Sequence, residues 1–286
     1  MALYNKNEHF PVLGLQEFSK GAFAGKGDLL FNELHGERHI DKPHQHDFFI
    51  IVLFDQAKGI HNIDFINYNI GNHEVHLLFP GQVHKWNIGP GTTGYQLMIS
   101  RDFFEIFSPS FRFSFASYQS HPVIQLSENS FKLLHYEFDA IKNELECEDS
   151  LQELISSRTA IIASIVSKEA EKIFSDVNIY KGEPRIARFE QLIDIYFKDQ
   201  KLVSFYAEKL NISANYLNII CQKYLKVSAT KLIQQRLVLE AKRLLKATML
   251  SVKEIAFELN FVDHAYFSNF FKAHTGVTPT EFREMS

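Results

Sequence analysis

The sequence has little cysteine and no long apolar run. Cys147 and Cys221 are its two cysteines, and no CxxC pair occurs among its 286 residues. This scarcity argues against a disulfide framework and against a thiolate metal site. No run of 18 apolar residues is present, so we expect no membrane span. The first ten residues lack an apolar segment of the secretory kind, and we therefore expect a cytoplasmic protein.

Charge is distributed unevenly along the chain. The composition is 45% hydrophobic and 22% charged, which suits a folded protein rather than a disordered one. Residues 1–180 carry a net charge of -9, whereas residues 181–286 carry +5. An acidic block followed by a basic one predicts two domains with different roles, at 1–180 and 181–286. The excess of +5 is also ordinary for a domain of this size, so charge gives only weak support for DNA binding.

Short strands are predicted for about residues 20–120. Phe48–Phe54, Val75–Phe79 and Tyr95–Ile99 are apolar runs of strand length, rich in aromatic and β-branched residues. Pro80 and Gly81 mark a turn, and clusters of Gly and Asn separate other segments. Regularly spaced short strands predict an antiparallel barrel or sandwich.

Helices are predicted for about residues 128–175. Ser127 is a suitable start for a helix whose apolar residues recur at helical spacing. A second helix is expected over 150–174. Its apolar stripe is our candidate for homodimerisation, although the same stripe could pack on its own domain. Ser175–Pro184 contains Asp, Asn, Gly and Pro, and we interpret it as a linker.

The C-terminal region is predicted to be entirely helical, which gives an α+β chain with two domains. Short connections between helices are typical of a compact helical domain. Seven helices are expected, over Arg185–Lys198, Val203–Leu210, Ala214–Leu225, Ala229–Lys246, Val252–Glu258, His264–Ala273 and Thr280–Glu284.

Ser251–Gly276 has the pattern of a helix-turn-helix unit. Ser251 and Glu254 can form a capping box, and Ala256 is small enough for a second helix to approach closely. Asp263 can cap the second helix, whose phenylalanines face inward. Short polar side chains on its other face suit the major groove. These outward residues are His264, Ala265, Ser268, Asn269 and Lys272.

A weaker version of the same pattern occurs earlier, over Val203–Leu225. Ala207 takes the position of close approach, and Ser213 can cap the second helix. Leu217, Ile220 and Cys221 form its core side, and its outward side consists of Ala214, Asn215, Asn218, Ile219 and Gln222. The long helix between the two units could place their recognition helices one DNA turn apart, ~34 Å.

A continuous pattern in the last part of the chain consists of Ile255, Ala256, Phe261, Tyr266, Phe267, Ser268, Phe270, Phe271, Lys272, Gly276, Thr278, Pro279, Phe282 and Arg283. On these residues, 185–286 resemble the DNA-binding domain of the AraC/XylS family of regulators. The spacing from Ile255 to Arg283 matches the family pattern without a gap. The sequence departs from the family at two positions. Asn260 stands where the family usually has Gly. Asn269 stands where the family often has Arg, and this should change the preferred base, because Asn favours adenine and Arg favours guanine.

The resemblance implies a transcription regulator, an activator more readily than a repressor, that binds double-stranded promoter DNA. It also implies a small-molecule effector and a contact with RNA polymerase. The outward residues of both second helices are the candidates for reading bases, apart from Lys272. Candidates for phosphate contacts are Arg185, Arg188, Lys223, Lys226, Arg236, Lys242, Arg243 and Lys272.

Histidines in the first domain resemble the cupin pattern and the sensor domains of AraC-family regulators. His44 and His46 precede one predicted strand, and His84 follows another. The resemblance implies an antiparallel β-barrel with a ligand cavity. Three imidazoles would suit Zn, Fe or Mn. The further carboxylate of a catalytic cupin is missing, so we prefer a structural role for these histidines and expect no cofactor.

Two alternatives from other classes stay open at this stage. The chain could be a metal-dependent cupin enzyme with a helical appendage, which would bind metal in stoichiometric amount. It could also be an interaction module whose helical domain binds protein. No Ser-His-Asp arrangement or phosphate-binding glycine loop can be located, and we therefore assign no catalytic residue and expect no enzyme.

Overall fold

The computed structural model describes residues 12–15, 24–26, 28–113, 115–174 and 183–285. The chain divides into two compact units, one spanning Pro11–Ser175 and the other containing Asp176–Ser286. Most of the predicted linker, residues 175–182, lies outside the described residues. The predicted boundary after residue 180 therefore stays a prediction. Among the described residues, no helix combines the length and apolar character that a membrane span requires.

The described residues of the first unit form two β-sheets. One has the strand order β1-β4-β9-β6-β7 and the other β11-β8-β5-β10-β3-β2. The strands are β1 (Val12–Leu13), β2 (Ala24–Lys26), β3 (Leu29–His35), β4 (Arg38–His46), β5 (Phe49–Gln56), β6 (Gly59–Ile63), β7 (Ile66–Ile70), β8 (Glu74–Leu78), β9 (His84–Ile88), β10 (Thr93–Ile99) and β11 (Val123–Gln125).

The three strands predicted from apolar runs are confirmed as β5, β8 and β10. Paired strands are antiparallel throughout the described residues, apart from β1 and β4, which run parallel. The prediction of a closed barrel needs correction, because the strands form two separate sheets. An inward-facing alternation of apolar residues serves a sandwich as well as a barrel, so the sequence pattern did not decide closure.

Strand β5 is apolar along almost its whole length because both of its faces are covered. Val52 and Phe54 face the interior between the sheets, where they meet Trp86 and Ile88 from the other sheet. The outer face of the second sheet is covered by helix α3 (Glu128–Glu146), whose Phe138 stacks on the ring of Tyr95. Strands buried on both faces read as continuous apolar runs. Each such large side chain contributes roughly 1.5–3 kcal/mol by leaving water.

Within the described residues, the other α-helices of the first unit are α1 (Arg101–Phe107), α2 (Phe115–Ser120) and α4 (Gln152–Ile173). Helix α3 begins as predicted, with the Ser127 side chain accepting the N–H of Ser130. The expectation of strands up to residue 120 is wrong for α1 and α2. Their phenylalanines pack into one aromatic cluster. Aromatic-rich segments favour strands by composition, but here the packing of the rings stabilises helices.

Residues 183–285 contain the seven helices that were predicted, with ends within two residues of expectation. The long α8 packs against α5, α7, α9, α10 and α11, so its neighbours share one core. The helices are α5 (Pro184–Tyr196), α6 (Val203–Lys209), α7 (Ala214–Leu225), α8 (Ala229–Ala247), α9 (Val252–Glu258), α10 (His264–Thr275) and α11 (Pro279–Glu284).

Candidate nucleic-acid interface and a buried histidine cluster

The turns of the two helix-turn-helix units begin in the same way. Ala207 and Ala256 are buried where the second helix of each unit approaches the first. Asn211 and Asn260 both take the left-handed conformation, with φ of 54° and 52°. The residue after each Asn donates its N–H to the alanine carbonyl, at 3.0 and 2.9 Å. Asn is among the few residues other than Gly that accept this backbone conformation readily.

The turn of the second unit is one residue longer than that of the first. Four residues separate α6 from α7, whereas five separate α9 from α10. The additional residue leaves Val262 96% exposed. Both second helices are nevertheless capped: Ser213 accepts the N–H of Tyr216, and Asp263 accepts those of Ala265 and Tyr266. The Ala265 N–H is the main reason why the pKa of Asp263 lies below its ordinary value.

Helix α10 presents the polar face that the sequence predicted. His264, Ala265, Asn269 and Lys272 are exposed, and Ser268 is half-buried. The Ser268 hydroxyl donates to the carbonyl of His264 at 2.9 Å, which leaves its oxygen as an acceptor. The opposite face anchors the helix, because Phe267 and Phe271 are buried and Phe270 is half-buried.

Helix α7 presents a smaller polar face. Asn215, Ile219 and Gln222 are exposed, whereas Ala214 is half-buried against the helical core. Asn218 is half-buried, and its Oδ1 accepts the N–H of Ala229 at 3.1 Å. This bond ties α7 to the start of α8, so Asn218 has a structural task besides any contact with DNA.

The core side of α7 is buried as expected and includes Cys221. Burial, with a smaller contribution from the charge of Glu190, raises the pKa of the Cys221 thiol to about 12. A thiol of this kind is a poor nucleophile at neutral pH, which suits a core residue rather than a redox switch.

Several of the candidate phosphate contacts are exposed cations. Arg188, Lys223, Lys226 and Lys272 lie on the surface of the helical unit. The exposed Arg185 donates to the carboxylate of Glu183. Lys242 is half-buried, with its Nζ 5.7 Å from the ring centre of Phe282.

Arg243 is an exception among these candidates, because its side chain is only 2% exposed. Its guanidinium pairs with Glu240, which also accepts from Arg236 at 2.8 Å. Arg236 reaches Asp194 as well, at 2.9 Å. Arg243 is therefore an interior residue and no longer a candidate for phosphate contact. The sequence analysis did not predict the burial of Arg243, because this residue lies on the face of α8 that packs against the neighbouring helices.

The two arginines hold Glu240 in its charged form. Burial alone would raise the pKa of this carboxyl, but the charges of Arg236 and Arg243 outweigh that effect, and the pKa lies below its ordinary value. A charged carboxylate in a largely buried position is stable only with such partners. This cluster therefore contributes to holding the helical unit together.

The geometry adds Tyr266 and Val262 to the candidate interface. Tyr266 is 64% exposed beside the N-terminus of α10. Val262 is exposed in the turn directly before α10, and apolar side chains in such positions can contact the methyl group of thymine. Little in the sequence indicated that Tyr266 and Val262 could contact DNA, because neither side chain is charged or strongly polar and Tyr266 lies within an aromatic-rich stretch.

The histidines predicted in the first unit come together between the two sheets. His44 and His46 lie on β4, His84 lies on β9, and all three are buried. One ring nitrogen from each lies within 4.8 Å of the others. The Nε2 atoms of His46 and His84 are 2.9 Å apart.

Two further histidines extend this cluster, and sequence analysis assigned them no role. His61 Nε2 lies 3.0 Å from His84 Nδ1, and His61 Nδ1 lies 2.9 Å from His76 Nδ1. His76 Nε2 ends the chain 3.4 Å from the Oε2 atom of Glu74. Both histidines occupy inward positions of strands, a signal that is visible only once the strand register is known.

Burial lowers the pKa of each of four histidines, His44, His61, His76 and His84. For His61 and His84 neighbouring histidines lower it further, and the pKa lies well below the ordinary value. These imidazoles are therefore neutral at neutral pH. A neutral imidazole keeps one nitrogen with a free lone pair, which is the form that accepts hydrogen bonds or binds metal.

Comparison with known proteins identifies both units. The family model of the AraC-like ligand binding domain matches residues 26–155, and that of a helix-turn-helix domain matches residues 206–285.

Relatives of this chain include named regulators. The chain is 27% identical over 142 residues to the uncharacterized HTH-type transcriptional regulator YijO of Escherichia coli, covering 49% of each protein. It is 28% identical over 142 residues to the Msm operon regulatory protein of Streptococcus mutans, covering 50% of this chain and 48% of that protein. The match thus spans about half the length of these curated relatives.

Among solved structures, ToxT of Vibrio cholerae matches with a TM-score of 0.43 and 14% identity, covering 90% of this chain and 98% of that chain. The alternative of a cupin enzyme gains no support from these comparisons, since the matched relatives are named as transcriptional regulators. The chain therefore contains an AraC-like ligand-binding domain followed by a helix-turn-helix domain, and in both it is similar to AraC-type regulators.

Proposed function

We propose that this regulator binds a specific promoter sequence by placing α7 and α10 in two adjacent segments of the major groove. The observation that carries this proposal is the shared architecture of the two units, each with a buried apolar face and an exposed polar one. The connecting helix α8 has 19 residues and is therefore roughly 28 Å long. That length is comparable to one turn of DNA, ~34 Å.

Within this interface, different side chains have different tasks. Asn269 is exposed on α10 and can donate and accept toward the edge of an adenine. Asn215 and Gln222 have the corresponding role on α7. Lys272 is a cation in the last turn of α10, and we propose that it binds phosphate, which positions the helix without reading sequence.

Two substitutions test these roles. Asn269→Ala should cost about 1–3 kcal/mol on the preferred site and little on unrelated DNA. Lys272→Ala should weaken binding to all sequences by a similar factor. Lys132→Ala is a matched control, because Lys132 is exposed on α3 of the other unit and pairs with a surface glutamate. An equal loss on all DNA for Asn269→Ala and Lys272→Ala would refute base reading by Asn269.

The first unit is the proposed sensor. Its match to an AraC-like ligand binding domain supports a small-molecule effector. To switch DNA binding, the effector must bind one state of the protein more tightly than the other. We propose that the linker near Tyr180–Pro184 transmits the change. We also propose that the regulator activates transcription through a contact with RNA polymerase and works in the cytoplasm. Transcription from a reporter promoter, measured with and without the intact gene, tests activation directly.

Helix α4 is the proposed dimerisation surface. Ile155 and Ile162 are buried within their own unit, whereas Leu154 and Ile161 face outward, with Ile161 44% exposed. An open groove beside them is lined by Ala160, Ile161, Ser164, Ile165 and Lys168. Leu154, Ile161 and Lys168 recur every seven residues, the spacing of a coiled-coil seam. A second copy of the chain would cover this stripe and double the contacts with DNA.

Sedimentation of the full chain tests the dimer. The wild type should sediment as a dimer, and Ile161→Glu should dissociate it by burying a charge in the interface. Leu133→Glu is the matched control, because Leu133 is likewise exposed but lies on α3. A monomeric wild type, or an equal effect of both substitutions, would contradict the proposal.

A further inference from the structure

Five imidazoles are buried in a largely apolar interior, and this arrangement is costly. The cluster lies beside Phe48, Phe54 and Trp86, with ring centres 4.5–5.3 Å from the nearest histidine rings. Burying a polar group is unfavourable unless that group forms a hydrogen bond. Apolar residues would fill the same space without that requirement. The continuous contact between the imidazoles suggests that their polarity is used.

The carboxylate of Glu74 fixes the direction of the hydrogen bonds. A carboxylate only accepts, so the facing Nε2 of His76 carries the proton. A neutral imidazole has one N–H, so Nδ1 of His76 accepts from Nδ1 of His61. Nε2 of His61 then accepts from Nδ1 of His84. The chain thus leaves Nε2 of His84 with its lone pair.

That lone pair points toward the other two histidines. Nε2 of His46 lies 2.9 Å away and donates to it when no ion is bound. Nδ1 of His44 lies 3.3 Å from the carbonyl of Lys42, to which it donates. This bond leaves Nε2 of His44 with a lone pair as well. If the proton of His46 moves from Nε2 to Nδ1, three neutral imidazoles offer ligand nitrogens with no net release of protons.

We propose that His44, His46 and His84 bind one divalent transition-metal ion, and that the chain of His61, His76 and Glu74 orients His84 for this task. Two nitrogens bound to one ion at about 2.0–2.1 Å lie roughly 2.9–3.4 Å apart at angles of ~90–110°. The 2.9 Å between Nε2 of His46 and Nε2 of His84 is compatible with this range, and one ring nitrogen of His44 lies within 4.8 Å of both. The site goes beyond the DNA-binding function proposed above and does not depend on it.

The ligand set indicates the class of metal. Imidazoles suit zinc, cobalt, nickel and iron(II), whereas magnesium and calcium require oxygen ligands. Three protein ligands leave at least one coordination position open to water or to a donor atom of a small molecule. In many metal sites a carboxylate or carbonyl accepts a hydrogen bond from the ligating histidine and so fixes its tautomer and ring orientation. His61 has this role for His84.

Titration of the chelator-treated full chain with Co²⁺, without DNA, tests the site. The expected result is a visible absorption band that saturates at one ion per chain and is displaced by Zn²⁺. His44→Gln should abolish the band, whereas His39→Gln, an exposed histidine on the same strand, should leave it unchanged. Circular dichroism of each variant confirms folding. Failure of the wild type to bind Co²⁺ and Zn²⁺, or an intact band in His44→Gln, would overturn the proposal whether or not the protein binds DNA.

Glu74→Gln tests the orienting chain separately. Gln keeps an oxygen that can accept the N–H of Gly71, at 2.8 Å in the structure, but it can also donate and so no longer fixes the direction of the histidine protons. Affinity for Co²⁺ should fall about 10-fold or more. An unchanged affinity in a folded Glu74→Gln variant would overturn the role assigned to His61 and His76.

Discussion

Lys226 and Gly276 end the two recognition helices in the same left-handed conformation, with φ of 59° and 84°. Both lie directly after the last helical residue, where glycine is preferred because it has no Cβ to clash. The first helix-turn-helix unit therefore carries backbone strain that the second helix-turn-helix unit avoids.

Exchanging the residue types should change stability in opposite directions. Lys226→Gly should raise the free energy of unfolding by about 1 kcal/mol, and Gly276→Ala should lower it by about 1–2 kcal/mol. A Cβ added at Gly276 would meet no atom within 4 Å, so its effect reports backbone strain alone. Urea unfolding of the full chain measures both. A neutral Gly276→Ala variant would contradict the assigned strain.

Glu240 should be essential to the stability of the helical unit. Glu240→Gln leaves Arg236 and Arg243 without their shared carboxylate, and should lower the free energy of unfolding by about 3 kcal/mol. Glu258→Gln is the matched control, because Glu258 forms an exposed pair with Lys198 and should change stability by less than about 1 kcal/mol. Similar losses of unfolding free energy for both variants would show that the buried cluster stabilises the protein no more than an exposed ion pair does.

The two cysteines should differ sharply in reactivity. Cys147 is exposed, whereas Cys221 is buried and has a pKa raised to about 12. An aromatic disulfide reagent should label one thiol per native chain at neutral pH, and two after denaturation. Cys147→Ser should remove the native label. Rapid labelling of native Cys147→Ser would mean that the core around α7 opens readily.

The cap of α10 should make stability depend on pH in the acid range. The folded-state pKa of Asp263 is depressed, so its contribution is present above the unfolded value of about 3.8 and is lost as the pH falls through the folded value. Asp263→Asn should keep the cap but remove this dependence. Urea unfolding of both proteins between neutral and acid pH compares them. Parallel curves would contradict a charged cap.

The helical unit was predicted closely because its signals are local. Ser251 with Glu254, and Thr278 with Glu281, form the capping boxes that mark helix starts in the sequence. Asn260, which stands where the family usually has Gly, does adopt the left-handed conformation. Caps, small residues and apolar periodicity act within a few residues, so the sequence displays them directly.

The first unit was harder to predict because its features depend on long-range pairing. Whether the strands close into a barrel depends on which edges pair, and His61 meets His84 only through the pairing of β6 with β9. The interior position of Arg243 similarly depends on what α8 packs against. The individual roles assigned to exposed residues such as Asn269 and Lys272 stay predictions.

Selection of binding sites from a pool of random double-stranded DNA by the full chain, at two salt concentrations, tests the central claim most directly. The account predicts enrichment of a motif with two blocks about 10 base pairs apart, and an affinity that falls steeply as salt rises. Enrichment of one block alone, or binding that stays unselective at both salt concentrations, would contradict the claim that α7 and α10 both read DNA.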